Sequence, residues 1–324
     1  MKQPRSKRKK HIYTLTYFDL EVSLQDLAFM LFVLLALYIF LPQISQFQTS
    51  IDALKSANKT FIVLAALSVC GAVTSAAGAY KLLALKNINF SNTLLVEWAG
   101  MFVNRLLPAG IGGIGLFADY LHRKKHTVAE AATVVAINNF LTSLGHILLL
   151  GGLLFAVPVV LHAPHIPQVS IWLWVCVGVA ALGVLYARRH THAIILTKFT
   201  RSIVGALVMY RKRLGKTGIA FICVLGNTTF HTVAIWLSMK AFGVDLPFTV
   251  ALLTLTGGVL VATVTPTPGG LVGSEAGLTA TLIAFGVDDG IALAVALSYR
   301  FVSYWLPIIP GMVALVIARK RKLV

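Results

Sequence analysis

Three ionisable side chains, Arg105, Glu275 and Arg300, stand in sequence that is otherwise apolar enough to be membrane. A charge at membrane depth needs a partner or a wet cavity, and by default it marks a functional site. Arg105 precedes Pro108 in Asn104-Arg105-Leu106-Leu107-Pro108-Ala109-Gly110-Ile111-Gly112-Gly113. Glu275 closes Thr265-Pro266-Thr267-Pro268-Gly269-Gly270-Leu271-Val272-Gly273-Ser274-Glu275. Arg300 opens Arg300-Phe301-Val302-Ser303-Tyr304-Trp305. A guanidinium matches phosphate bidentately. Helix N-termini behind glycine-rich turns add backbone donors and a positive dipole end. Together these suit the head group of an anionic lipid. The candidate substrate-binding residues are Asn104, Arg105, Asp119, Glu275, Arg300 and Tyr304. Two other readings stay open. Arg300 with Glu275, and Arg105 with Asp119 or Glu97, could form ion pairs that only lock helices. The acids could instead serve amine head groups, or take up protons during a transport cycle.

Both motifs read as broken helices. Proline removes a backbone donor and glycine permits positive φ. The candidate break residues are Pro108, Gly110, Gly112 and Gly113 in the first motif. In the second they are Pro266, Pro268, Gly269, Gly270 and Gly273. Irregular backbone at membrane depth survives only when protein buries it or when it lines a cavity.

The elements that must hold these breaks follow from composition. Of 324 residues 57% are hydrophobic and 12% charged, with mean hydropathy +0.83. That excludes a soluble domain and fits a multi-spanning helical membrane protein. The net charge of +17 does not signal nucleic-acid binding. Most Lys and Arg lie in short segments flanking apolar runs, as the positive-inside rule requires, where they contact anionic lipid. Residues 1–23 read as a basic cytoplasmic tail with an interfacial segment at 12–22. No cleavable signal peptide is expected, because the run 24–41 reads as a first span. Further spans are expected at 61–80, 127–160, 170–187, 218–242 and 291–318, and at 188–217 an amphipathic basic stripe for the inner lipid surface or a cytoplasmic extension of the spans. Residues 91–121 lie between basic loops on one side, and 249–286 begin and end on the other. Each is too short and too broken for two spans, so each reads as a re-entrant hairpin.

The expectation is therefore an all-α polytopic membrane protein with about six full spans and two oppositely inserted hairpins. It divides into a first half-repeat at 24–160, an inverted second at 161–318 and a basic tail at 319–324. Inverted repeats with matching broken helices point to a transporter's midplane site. Asn138, Asn139, His146, Asn227 and His231 read as interhelical hydrogen-bonding residues. Cys70, Cys176 and Cys223 read as small core residues without disulfide or metal spacing. The chain carries no Ser/His/Asp arrangement, phosphate-cradling loop or HExxH, so no enzyme, metal or cofactor is expected.

The chain resembles the lysylphosphatidylglycerol synthase transmembrane family, also called flippase-like membrane proteins. The likeness rests on Phe102–Gly110 with the following glycines, on Pro266–Glu275, and on Tyr299-Arg300 through Tyr304-Trp305-Leu306-Pro307 to Gly311. The first motif departs from the commoner form, which has Gly-Glu after the Leu-Pro turn; here Gly112-Gly113 stand there and the next acid is Asp119. In the family's best-known members this membrane region is joined to an aminoacyl-transferase domain that modifies phosphatidylglycerol. The resemblance implies a stand-alone member without that domain, acting as a lipid translocase; with the basic tails it suits a prokaryotic plasma membrane, and the tails place both termini in the cytoplasm. Its partners would be membrane lipids with an anionic phospholipid or polyprenyl head group, a second copy of the chain, or a separate lipid-modifying enzyme. Alternatives are a secondary transporter of a small anion or polyprenyl-linked carrier, and a non-catalytic subunit of a lipid-modifying enzyme.

Overall fold

The computed structural model describes residues 12–14, 21–23, 48, 51–106, 111–156, 210, 213–265 and 269–324. The chain divides into Met1–Gln48 and Thr49–Val324. In the first unit, β1 (Ile12–Thr14) and β2 (Glu21–Ser23) pair antiparallel, with Tyr13 opposite Val22. They occupy the stretch expected to be interfacial.

The second unit is helical, and its axis is a pair of helices. These are α1 (Lys59–Leu83) and, later in the chain, a helix over Leu214–Ala241. They run antiparallel over their whole length. At one end the Asn58 N–H donates to the Ala241 carbonyl at 2.9 Å. Further along, Ser68 Oγ donates to the Phe230 carbonyl at 2.7 Å and Asn227 Nδ2 to the Ala72 carbonyl at 2.9 Å. At the other end Tyr210 Oη donates to the Leu83 carbonyl at 2.5 Å, while Arg213 reaches the carbonyls of Ala84 and Leu85. Lipid is as apolar as leucine, so burial cannot drive such pairing; close approach of small residues and polar side chains does. Asn227 is thus an interhelical hydrogen-bonding residue, as expected. Tyr210 is buried against α1, which fits the stripe as an extension of the spans and not as a lipid-surface helix. Cys70 is exposed, so it is not a core residue.

The first hairpin comprises α2 (Phe90–Leu106) and α3 (Ile111–Arg123), and α4 (Val128–Ala156) follows it. Its two ends meet beside the C-terminus of α1. There the buried His126 accepts the Lys86 N–H through Nε2 at 3.1 Å, and its Nδ1–H donates to the Leu121 carbonyl at 3.0 Å. A carbonyl only accepts, so this contact fixes the neutral Nδ1–H tautomer. Lys86 Nζ also pairs with Glu130 at 3.2 Å.

The helix Leu214–Ala241 is α5. The second hairpin is α6 (Phe248–Val264) and α7 (Gly273–Ala284). Its ends meet beside the C-terminus of α5, where Leu237, Val250, Leu282 and Ala292 share one apolar cluster with Ala65 of α1. Because α1 and α5 are antiparallel, the hairpins enter from opposite ends, as expected. A helix of 17 residues rises about 25 Å, short of the roughly 30 Å hydrocarbon core.

The last run starts with α8 (Asp289–Arg300), capped by Asp288. It passes through a π turn at Phe301–Trp305 and continues as α9 (Ile308–Lys320). The Leu306 N–H reaches back five residues to the Phe301 carbonyl at 2.8 Å. Pro307 has no N–H for a regular helical bond, and a π turn absorbs such a mismatch. α8 packs on α7 and α5, and α9 packs on α2. Four described runs are long and apolar enough to cross a membrane: Lys59–Leu83, Val128–Leu149, Leu214–Ala241 and Asp289–Lys320. The protein is therefore an all-α polytopic membrane protein. The expected spans 24–41 and 170–187, most of the stripe 188–217, and Cys176 lie outside the described residues.

Candidate functional site

The π turn sets the geometry of the ionic residues. It places Arg300 on α8 and Tyr304 on the turn so that the guanidinium carbon of Arg300 sits 4.5 Å from the Tyr304 ring centre. From the first hairpin, Arg105 at the C-terminal end of α2 brings its guanidinium carbon to 4.8 Å from the same ring. A tyrosine face attracts cations through its quadrupole, so one ring bridges two arginines that would otherwise repel.

Arg300 is nearly fully buried and its charge is answered. Its Nε donates to Glu275 Oε1 at 2.8 Å and an Nη donates to the Gly269 carbonyl at 3.2 Å. Glu275 lies in the first turn of α7, where the helix dipole favours a carboxylate, and Ser274 Oγ donates to its other oxygen at 3.1 Å. Gly269 has φ +62°, and a Cβ there would come within 2.3 Å of the Tyr304 ring. Only glycine lets the second hairpin's turn come this close.

Arg105 pairs with neither acid expected for it. Its guanidinium donates to the Met101 carbonyl and, at 2.9 Å, to the Ser303 carbonyl of the π turn. Its Nε and the Tyr304 hydroxyl are buried without hydrogen-bond partners among the described residues. Asp119 is half exposed and pairs with Arg123 one turn on, at 3.0 Å. A carboxylate at i and an arginine at i+4 meet on one helix face, so local spacing overrode the predicted partner. Asp119 is thus not part of the cluster, whereas Arg105, Glu275, Arg300, Tyr304 and Gly269 are.

The first hairpin is closed by Asn104, whose Oδ1 accepts the Gly113 N–H at 2.6 Å. A Cβ on Gly112 would come within 2.7 Å of the Val103 carbonyl, and one on Gly113 within 2.7 Å of the Asn104 amide. These glycines lie in the first turn of α3, so they permit close packing on α2 and are not the break itself. α2 is described as far as Leu106 and α3 from Ile111. Gly273 likewise opens α7, after Gly270 at φ +66° and Val272 at φ 68°. Pro108, Gly110, Pro266 and Pro268 lie outside the described residues.

Asn104 also lines a chamber of about 690 Å³. Gly113 joins it from the first hairpin, Tyr80 from α1, Asn138 and Asn139 from α4, Asn227 from α5, and Thr263 from the second hairpin. Its one acid among the described lining residues is Glu97, two turns before Asn104 on α2. Glu97 Oε2 is buried with no hydrogen-bond partner among the described residues. Sequence reading named Glu97 as a mate for Arg105 and the asparagines as interhelical links. It did not bring them together, because the lining is assembled from α1, α4, α5 and both hairpins. His146 bonds the Thr142 carbonyl on its own helix and His231 bonds the Tyr299 hydroxyl at 3.1 Å. Neither belongs to a metal-ligating group among the described residues.

The chain matches the family described as the lysylphosphatidylglycerol synthase TM region over residues 26–311. It is also similar to UPF0104 membrane proteins of two archaea. The protein from Pyrococcus horikoshii is 25% identical over 312 residues, covering 85% of this chain and 92% of that protein. The one from Methanothermobacter thermautotrophicus is 26% identical over 111 residues, covering 34% of this chain and 33% of that protein. The matched region contains both hairpins, the chamber and the Arg105–Tyr304–Arg300 cluster, and the chain belongs to the lysylphosphatidylglycerol synthase TM region family.

Proposed function

We propose that the protein moves a lipid between the leaflets of a prokaryotic plasma membrane. The head group occupies the chamber while the acyl chains stay in the bilayer. The observation that carries this reading is the chamber itself. It is a partly polar volume between two hairpins that enter from opposite ends, with amides on three helices and an ionic cluster joining both breaks. Such a site offers a head group hydrogen bonds at a depth where lipid offers none. Arg105 is not among the described lining of the chamber, but it follows Asn104 on α2 and meets no acid among the described residues; that favours an anionic phospholipid or a polyprenyl phosphate, and the family's association with a phospholipid product agrees. In this reading the protein translocates without chemistry, both termini are cytoplasmic, and its partners are membrane lipids.

The test is head-group transfer in liposomes, followed by the accessibility of a fluorescent lipid to an impermeant quencher. Asn104→Leu removes an amide from the chamber, and Asn139→Leu removes another that makes no described structural bond. Each should slow transfer at least several-fold while the purified protein stays monodisperse. Wild-type transfer no faster than protein-free liposomes, across anionic, zwitterionic and polyprenyl lipids, would refute the reading.

A further inference from the structure

Glu97 sets a problem that the head-group reading does not solve. A carboxylate taken out of water is expensive unless a cation or several donors answer it. Glu97 Oε2 has no hydrogen-bond partner among the described residues, and no lysine or arginine is among the chamber's described lining.

The neighbouring groups can be taken element by element. From α1 the titratable group is Tyr80, which shares a hydrogen bond with Asn138 and stacks on Phe117 at 3.8 Å. From α3, Tyr120 is held by Thr93 at 3.1 Å. α4 brings Asn138, Asn139, Thr142 and Ser143, with His146 one turn further and bonded to its own backbone. α5 brings Asn227, whose amide nitrogen is spent on Ala72, with His231 one turn on and bonded to Tyr299. α6 brings Val259 and Thr263. α9 meets α2 through Gly311 against Trp98 and Phe102, and its cations Arg319 and Lys320 are in its last turn. On α2 itself Arg105 is two turns away and bound to carbonyls. Among the described residues Glu97 thus shares the chamber with neutral oxygens and amides and no counter-charge.

We propose that Glu97 is an exchangeable monovalent-cation site. The carboxyl holds a proton while the chamber is empty. When a monovalent cation enters, the proton leaves to chamber water, and the carboxylate with the Asn227, Asn139 and Thr142 oxygens takes the positive charge. Hard oxygen donors in this number suit an alkali ion, and the same set suits an ammonium group. The site binds one charge per proton released, so occupancy of the chamber is coupled to pH. The inference takes the chamber from the preceding reading but not the lipid. Its test runs in detergent, where failure leaves head-group transfer untouched, and absence of transfer leaves the cation site untouched.

The test is labelling with dicyclohexylcarbodiimide, which attacks protonated carboxyls in apolar surroundings. The adduct is mapped by peptide mass spectrometry in purified protein with choline as the inert cation. Glu97 is expected to label. Glu275 serves as an internal control and stays unlabelled, because its carboxylate is held by Arg300. Sodium or methylammonium in place of choline should cut Glu97 labelling about tenfold at fixed pH, equivalent to one pH unit of displacement. An effect of sodium alone identifies an inorganic ion; an effect of methylammonium alone identifies an amine. Glu97→Gln should abolish the adduct. An unlabelled Glu97 in a covered peptide, or labelling indifferent to both cations, would overturn the proposal. Both decisive outcomes are read on wild-type protein, so a variant that fails to fold does not obscure them.

Discussion

The buried Arg300–Glu275 pair permits a quantitative test of what the ionic cluster does. The two side chains are 10% and 9% exposed and meet at 2.8 Å. Removing one partner strands a buried charge, which typically costs roughly 3–5 kcal/mol. Glu275→Leu leaves the guanidinium with only the Gly269 carbonyl and the Tyr304 face, and should fall in that range. Arg300→Met leaves the carboxylate with Ser274 and the α7 dipole, and should fall at or below its lower end. In the double variant no charge is stranded. Its residual cost is the lost contact to the Gly269 carbonyl, about 1–3 kcal/mol. The double variant should therefore be more stable than Glu275→Leu alone, with a coupling energy of at least about 2 kcal/mol. The assay is denaturant unfolding in mixed micelles with the thermal midpoint measured alongside. If the two single effects add, or if Glu275→Leu costs under about 1 kcal/mol as exposed pairs do, the pair is not the buried lock that its geometry implies. Head-group transfer by the double variant should persist, because the chamber lining is untouched.

The remaining predictions are local. Gly269→Ala places a Cβ 2.3 Å from the Tyr304 ring at φ +62°; it should destabilise by about 1–3 kcal/mol from overpacking and backbone strain together, read as a lowered thermal midpoint. Val272 holds φ 68° and ψ −52°, a rare conformation for a β-branched residue, so Val272→Gly should stabilise by up to about 1 kcal/mol in the same assay. Burial holds the His126 imidazole below its ordinary pKa of 6.5, so the folded state favours the neutral ring. That stability is complete above the ordinary value and is lost as pH falls through it toward the lower folded value. Hydrogen exchange of the 84–89 and 124–127 loops should rise over this window, and His126→Gln should flatten the response.

Legibility in the sequence followed the range of the interactions involved. The two breaks could be read because proline and glycine act on their own backbone, and the flanking basic segments set which end each hairpin enters. The pairing of Arg300 with Glu275 was among the expected options, since an arginine at that depth has few acids to meet. Asp119 was misassigned because Arg123, four residues on, is always within reach on a helix and a distant partner is not. The chamber was illegible. Asn104 could be read as a binding candidate and Glu97 as a mate for Arg105, but only the packing of three helices turns them, with Asn138, Asn139 and Asn227, toward one volume. The π turn was equally hidden, although Pro307 marks the place where a regular helix cannot continue.

The sequence by itself determined that this is a membrane protein with two oppositely inserted broken hairpins, because hydropathy, charge placement and helix breaking are sums over neighbouring residues. Tertiary structure alone decided which charges are answered and which are not. Arg300 meets Glu275 across 25 residues of chain, and Arg105 meets the Ser303 carbonyl across 198. Such contacts depend on how antiparallel helices cross, and no local pattern encodes that crossing.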